Sequence, residues 1–424
     1  MANSFSKEER VAFEDLLAGF NDALVLSRNV SVYNTDQTMM ERTNNVIWRP
    51  QPYISVSYNG TDMTGNFDDY VQLSVPSTIG FQKSVPWIMS ATELRDALQE
   101  NRLGDAAKQK LASDINVAVL NVASLQGSLV VKRPAAVGFD DVAAIESLMN
   151  EQGVPMDNRY LALSTRDYNS IANSLQGTAR SYGNAISDQA LRRGFVGQVA
   201  SFDTYKMDYA IRKAAAAGGA GLQVNTTAAG GNWYIPKATT TAVTGETSNV
   251  DNRFQTITIS SSANVAVGDC FTIDGVFAVH HITKQSTGVL KTFRVIAVPA
   301  GGTTLVITPA IVPAQAGIDS TEQYQNVVIP SPSATAAVVF LNTAAAALNC
   351  FWYRDAIELL PGRYAVPTDA GAAVMRGTTD QGVELVMQKQ YDVKTMKTFY
   401  RLDTLFGVVN KLPEMSGVIL FGQS

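Results

Sequence analysis

The chain has 424 residues, of which 33 are Lys or Arg and 38 are Asp or Glu, for a formal net charge of -5. At roughly 100 to 200 residues per domain that length allows two to four domains, each with a real core. The acidic balance and the lack of a dense Lys/Arg run exclude a dedicated nucleic-acid binder, which would present a basic face; Arg192 and Arg193 read as a solvated pair, and any nucleic-acid contact should be passive and non-specific.

The amino end, MANSFSKEER, mixes charges without an apolar stretch and does not read as a secretory signal. Lys7 to Phe20 predicts a short amphipathic helix, with Val11, Leu16, Leu17 and Phe20 apolar against Glu8, Glu9, Glu14 and Asp15. Such a helix is ordinarily just solvated; its functional reading is a detachable arm. Tyr53 to Tyr58 (YISVSY) and Tyr70 to Val75 (YVQLSV) predict a long hairpin around a polar middle with Asn59, Gly60, Gly65 and Asn66. Two strands alone are marginal in water, so the hairpin must lean on its own domain or on another subunit. Asp68 and Asp69 are the best carboxylates for a hydrolytic reading, but adjacent acids at a hairpin tip lack the apolar pocket that would tune them.

Ser90 to Gly127 is the strongest helical segment: Ser90 and Glu93 make a capping box, Gly127 suits a C′ position, and Leu111, Ile115, Ala118, Val122 and Leu125 form one buried stripe. Its first half is more polar, with Arg95, Asp96, Glu100, Arg102, Asp105, Lys108 and Lys110 around Leu94 and Leu98. Gly104 marks a place where the helix could break, since glycine costs about 1 kcal/mol relative to alanine there. Ser128 to Val131 (SLVV) reads as a core strand.

An Ala/Gly hinge, Ala214 to Gly221, opens onto a threonine-rich, charge-poor stretch running to about Thr343. Arg253 to Ser260 alternates at the period of a half-buried strand. Phe271 to Ile273 leads to Asp274 and Gly275, a pair suited to a type I′ turn, after which Val276 to Ile282 returns. Thr292 to Val298 and Thr303 to Ile311 form a second pair around Gly301 and Gly302. Short strands at this spacing predict a small closed or nearly closed barrel inserted into a mixed α/β chain. Ala336 to Leu348, broken by Asn342 and Thr343, does not read as a membrane span.

Cys270 and Cys350 cannot make a disulfide framework, fit a reducing compartment and read as small buried hydrophobes. The two histidines, His280 and His281, fall on a predicted strand, where they would face opposite sides. A Cys–His nucleophile pair and a zinc site are both disfavoured, so no catalytic residue, metal ligand or cofactor is assigned.

Ordered fragments along the chain resemble the major coat proteins of short-tailed enterobacterial phages of the Salmonella and Shigella type. They are FEDLL near the start, NNVIW at Asn44 to Trp48, LRDAL and GSLVV around the long helix, GQVASFD at Gly197 to Asp203, VDNRFQTITIS at Val250 to Ser260, VGDCFTIDGV at Val267 to Val276 and NCFWYRDAIEL at Asn349 to Leu359. The closing YRLDTLFGVVNKLPE is similar to the last strands of many tailed-phage capsid proteins. The resemblance implies an α+β fold of the Hong Kong 97 capsid type with an inserted small β-barrel domain. It divides the chain into an amino-terminal arm (1–34), a peripheral domain (35–134) with an extended loop (49–78) and spine helix (90–127), an axial domain (135–221), the inserted β-barrel (222–345), an axial return (346–375) and carboxy-terminal strands (376–424).

It also implies an icosahedral shell of hexamers and pentamers around double-stranded DNA, assembled in the bacterial cytoplasm with scaffolding and portal proteins and without a membrane. Glu14 and Asp15 match the acidic arm residues that such coat proteins present to a basic scaffolding helix. Tyr58, Asn59, Gly60, Asp68 and Asp69 fall on the loop laid over a neighbouring subunit. The long loop Pro236 to Asn249 occupies the place of charged contacts across two-fold axes, yet only Lys237 and Glu246 are charged there, which weakens an ionic latch. The rival readings are a bacterial encapsulating compartment, a surface or carbohydrate-binding β module, and an enzyme. Some shells of this fold weld themselves with Lys–Asn isopeptide bonds, but no lysine occurs between Arg49 and Lys83. The shell should therefore be non-covalent, and particles boiled in reducing detergent should run as one band; a high-mass ladder would refute this.

Overall fold

A computed structural model describes residues 5, 7–33, 46–52, 57, 59–64, 67, 69–90, 92–93, 97–179, 197–218, 221–227, 232–366 and 372–423. It contains two compact units, Met1–Ile47 with Ser77–Leu120 and Ile357–Val409, and Trp48–Pro76 with Asn121–Ala356 and Asn410–Ser424.

The first unit is built on a six-stranded sheet in the order Ser31–Val32, Ile357–Pro361, Lys397–Asn410, Glu384–Asp392 and Ala373–Thr378, with Phe81–Ser90 also pairing with Lys397–Asn410. The amino-terminal helix, Lys7–Ala23, buries Phe13, Leu16 and Phe20 along one stripe and leaves Val11 59% exposed, so the apolar face is rotated from the predicted one. Glycines admit this helix. A Cβ on Gly377 would stand 2.7 Å from Leu17 Cδ2, and one on Gly104 3.3 Å from Leu16 Cδ1.

The long helix is Ala97–Gln126 and passes through Gly104 without a break. Close approach, not a helix end, is what the missing side chain serves there. The predicted capping box does form: the Ser90 N–H donates to Glu93 Oε2 at 2.8 Å and the Glu93 N–H to Ser90 Oγ at 3.4 Å. Ser90 is nonetheless the last residue of a strand, and the described helix begins at Ala97; Leu94, Arg95 and Asp96 lie outside the described residues. Leu111 and Ile115 are fully buried, as the predicted stripe requires.

In the second unit a six-stranded sheet runs Leu129–Arg133, Ser416–Phe421, Asn349–Tyr353, Arg159–Ser164, Phe202–Met207 and Gln198–Val199. Ser416–Phe421 lies parallel to Leu129–Arg133 and antiparallel to Asn349–Tyr353, so the end of the chain is threaded into the middle of the sheet. All six of its residues are buried, which is why SGVILF reads as a continuous apolar run. Val142, Ile145 and Met149 from helix Phe139–Glu151, and Tyr168, Ile171 and Ala172 from helix Thr165–Ala179, complete this core with Phe202 and Phe351.

Arg212–Lys213 pairs antiparallel with Ala346–Ala347, and between these strands the chain makes a second, seven-stranded sheet. Its order is Gln223–Val224, Ala336–Phe340, Cys270–Val279, Ser286–Ala297, Thr304–Thr308 and Gln255–Thr258, with Val327–Val328 pairing off the path. An antiparallel bridge from Val224 to Ile259 joins its two edges. Ile257, Phe271, Ile273, Phe293, Val295 and Ile307 fill the interior.

Two predicted turns are corrected. Cys270–Val279 runs straight through Asp274 and Gly275; Thr272 pairs with Thr292 and Phe277 with Leu290, so the extra residues make a bulge and Gly275 takes its positive φ of 75° there. Both flanks pair with the same long partner strand, which a two-residue hairpin would forbid. The true reversal follows Val279: His280 and His281 sit in a turn rather than on a strand, with the His280 N–H donating to Gln285 O at 2.9 Å. Of the predicted Tyr53–Val75 hairpin, Tyr53 to Val56 and Tyr58 lie outside the described residues; Tyr70 to Leu73 are not in a strand, and the nearby ladder joins Val46–Pro50 to Ser74–Thr78.

The tightest backbone approach lies at Gly417, where a Cβ would fall 2.1 Å from Leu129 O. Gly417→Ala should lower the unfolding free energy by about 3 kcal/mol in a urea titration. Gly275→Ala, with open space around it but a positive φ, should cost about 1 kcal/mol.

Candidate assembly surfaces and the buried ionic junction

Glu14 and Asp15 are exposed on the helix face opposite Phe13, Leu16 and Phe20. Glu9, one turn earlier, is instead ion-paired to Lys389 and fixes the helix to its own sheet. The two acids are thus free to meet solvent or a partner without disturbing the helix's seat.

In the segment expected to form the extended loop, Asn59, Gly60 and Asp69 are exposed, and Gly60 takes a φ of 106° that favours glycine. Tyr58 and Asp68 lie outside the described residues. Sequence reasoning missed Phe67, an aromatic ring 88% exposed beside these polar residues. A lone Phe between Asn66 and Asp68 was the available signal, obscured by the polar character of the segment. Asp62 caps a local turn, its Oδ1 accepting from the Thr64 hydroxyl at 2.6 Å and N–H at 3.0 Å; the hydroxyl bond, more than the amide, holds its carboxyl below the usual range.

The threonine-rich loop is a small projecting hairpin, Thr239–Thr241 against Thr247–Asn249. All six strand residues are exposed, with Val243 at the tip. Asn252 anchors its base by accepting from the Lys237 N–H at 3.1 Å and donating to Lys237 O at 3.0 Å. The Lys237 and Glu246 side chains are exposed on this hairpin.

The strongest electrostatics are internal. Lys291, only 2% exposed, donates to Glu414 Oε1 at 2.5 Å, and Glu414 is 32% exposed. Burial pushes the Glu414 carboxyl up, but the charge and hydrogen bond of Lys291, with His281 and Lys284 behind them, outweigh it and leave the group below its ordinary range. Burial pulls the His281 imidazole below its ordinary range, against the opposing pull of Glu414. Around this pair Thr292 Oγ1 donates to Ser128 O at 2.7 Å, and Arg253 Nη1 donates to Asn410 O at 2.7 Å while its other nitrogens grip Asp251.

Asp269, 1% exposed, receives Lys213 Nζ at 2.9 Å and Asn342 Nδ2 at 3.0 Å. Cys270 and Cys350 are fully buried and free; desolvation pushes both thiols up, Cys350 to about 12, so neither offers a thiolate near neutrality. The His280 ring stacks on Gly153, 2.9 Å from where a Cβ would be. Among the described residues no three His, Cys, Asp or Glu side chains gather closely enough to hold a metal ion, and no helix is long and apolar enough to cross a membrane. These groups are arranged to hold segments together.

A family model described as "P22 coat protein - gene protein 5" matches residues 1–422. Among solved structures the chain is similar to the "CUS-3 coat protein I-domain", at 38% identity over 29% of this chain and 97% of that one, with a TM-score of 0.21. It is also similar to a structure titled "Mycobacterium phage Che8", at 10% identity over 93% of this chain and 90% of that one, TM-score 0.45. A third, "Asymmetric unit of bacteriophage PhiM1 mature capsid", matches at 10% identity over 93% and 85%, TM-score 0.44. The class is that of a structural, non-enzymatic protein that builds a phage shell. The chain belongs to the P22 coat protein family.

The junction sets an acid limit. Glu414 has a depressed value, so its contribution is present above the ordinary 4.5 and is lost as pH falls through the folded value. His281 is also depressed, so protonating it favours the unfolded chain once pH drops below 6.5. Melting temperature should therefore fall as pH decreases from about 6.5. In Lys291→Met the neutral-pH melting point should drop; an unchanged melting point from pH 7 to 4 in the native chain would refute the assignment.

Proposed function

We propose that this chain is the major capsid protein of a short-tailed enterobacterial phage, folded in the Hong Kong 97 manner with an inserted β-barrel. It assembles with a scaffolding protein, in the host cytoplasm, into an icosahedral shell of hexamers and pentamers around double-stranded DNA, with a portal protein at one vertex. The observation that carries this reading is the family match along residues 1–422. The closed sheet between Arg212–Lys213 and Ala346–Ala347 supports the insertion, which we place at residues 222–345. The remaining divisions follow the sequence: an arm to residue 34, a peripheral domain to 134, and an axial domain to 221 resuming at 346.

In this reading the exposed pair Glu14 and Asp15 meets a basic scaffolding helix, the loop around Tyr58, Asn59, Gly60, Asp68 and Asp69 lies on a neighbouring subunit, and the hairpin bearing Lys237 and Glu246 touches another across a two-fold axis. The threonines of that hairpin supply hydrogen bonds in place of an ionic latch. Exposed ion pairs contribute only about 0.2 to 1 kcal/mol each, so scaffolding is held through many copies and can leave. A standard interface buries about 1,600 Å², and several per subunit sum to a robust particle.

Electron microscopy of the chain expressed with and without its scaffolding partner tests the reading. Uniform closed shells should form only with the partner, and persistent monomers in both cases would overturn it. Glu14→Ala with Asp15→Ala should weaken retention on immobilised scaffold and flatten its salt dependence; unchanged retention would remove these residues from the contact.

A further inference from the structure

One stretch of the extended loop is held in an unusual way. Residues 69 to 73 lie outside any strand, yet the main-chain groups of Asp69, Val71 and Leu73 are met by side chains from the short helix Asp319–Gln323 and from Tyr324. The Asp69 N–H donates to Asp319 Oδ2 at 3.1 Å, and Gln323 Nε2 donates to Asp69 O at 3.0 Å. The Val71 N–H donates to Gln323 Oε1 at 3.3 Å, the Tyr324 hydroxyl donates to Val71 O at 3.1 Å, and the Leu73 N–H donates to that hydroxyl at 3.3 Å.

Alternate residues of an extended chain present their N–H and C=O groups to one edge. The Gln323 amide, a donor and an acceptor on one planar group, bonds that edge as a peptide of a neighbouring strand would. Tyr324, whose hydroxyl both donates and accepts, takes the next position. The ladder continues into main chain, where the Gln51 N–H donates to Leu73 O at 2.9 Å.

The supporting helix is itself pinned. Thr321, fully buried, donates to Ile318 O at 2.8 Å and accepts from the Gln315 N–H at 3.0 Å, and Gln323 is 8% exposed. A cavity of about 70 Å³ beside the ladder is lined by Gln51, Pro52, Leu73, Pro309, Tyr324 and Pro413, among others. Tyr70, between the bonded residues, is 46% exposed, and its hydroxyl donates to Gln72 Oε1.

We propose that Gln323 and Tyr324 form a clamp that sets the direction in which the extended loop leaves its own subunit, so that the segment following Thr308 presets a contact made on a neighbour. The proposal rests on the capsid reading for its consequence, but not for the clamp itself. Modest bonds in series fit a device that must hold direction and still yield as contacts form.

Amide hydrogen exchange on the full chain, resolved to single residues, tests it first. Gln323→Ala should speed exchange at Val71 by about tenfold, and Tyr324→Phe should do so at Leu73, with the Glu322→Gln control matching the native chain. Particles from the first two variants, imaged with scaffold present, should vary in diameter while their subunits melt at the native temperature. Native-like exchange at Val71 and Leu73 in both variants would overturn the clamp. Faster exchange with uniform native-sized shells would overturn its directing role. If the native chain itself forms no shell, the capsid reading fails, and the exchange pattern alone decides the clamp.

Discussion

The carboxylate of Asp269 is the knot on which the second unit depends. The chain enters and leaves the closed sheet through the paired segments Arg212–Lys213 and Ala346–Ala347, two residues on each side, and such a stem fixes where a segment enters but not how it is turned. Asp269 binds Lys213 from one side of the stem and Asn342 from just before the other. Asn342 in turn accepts the Cys270 N–H at 3.1 Å, and its carbonyl receives Ala216 N–H at 2.8 Å. The stem, the segment after Ala336–Phe340 and the strand Cys270–Val279 are thereby tied at one point.

The further attachments are polar as well. Lys291 to Glu414, Thr292 to Ser128 and Arg253 to Asn410 each join the closed sheet to segments beside the six-stranded sheet. An apolar seam of equal area would often be as stable, because removing charges from water offsets much of their attraction. It would also be less directional. Hydrogen-bonded pairs fail if the two sheets slip by one residue, so this seam defines one arrangement. The reach of these bonds to residues 410–414, close to the threaded strand Ser416–Phe421, couples that arrangement to the end of the chain.

Much of the fold was legible because alternation and helical spacing are local. The strand at Gln255–Thr258, the Thr304–Thr308 partner of the long strand, and the buried stripe of Leu111 and Ile115 follow from burial on one face. Asp274–Gly275 misled because a bulge and a type I′ turn both need a positive φ; only the length of the partner strand, Ser286–Ala297, decides between them. Gly104 left a helix break open as an alternative for a related reason, since its role depends on Leu16, far away in sequence. Of the surfaces, Glu14, Asp15 and the threonine hairpin were legible as polar segments. The Gln323–Tyr324 ladder was not, because a side chain imitating a strand leaves no periodic trace.

The two cysteines, fully buried within their sheets, give the folded chain a chemically silent surface toward thiol reagents. The hairpin tip at Val243, by contrast, is wholly solvent-facing and supported from below by Asn252. A cysteine placed at that tip would be the one reactive thiol on a native background. The unassembled subunit would then carry one attachment point for conjugation, without first stripping its own sulfur.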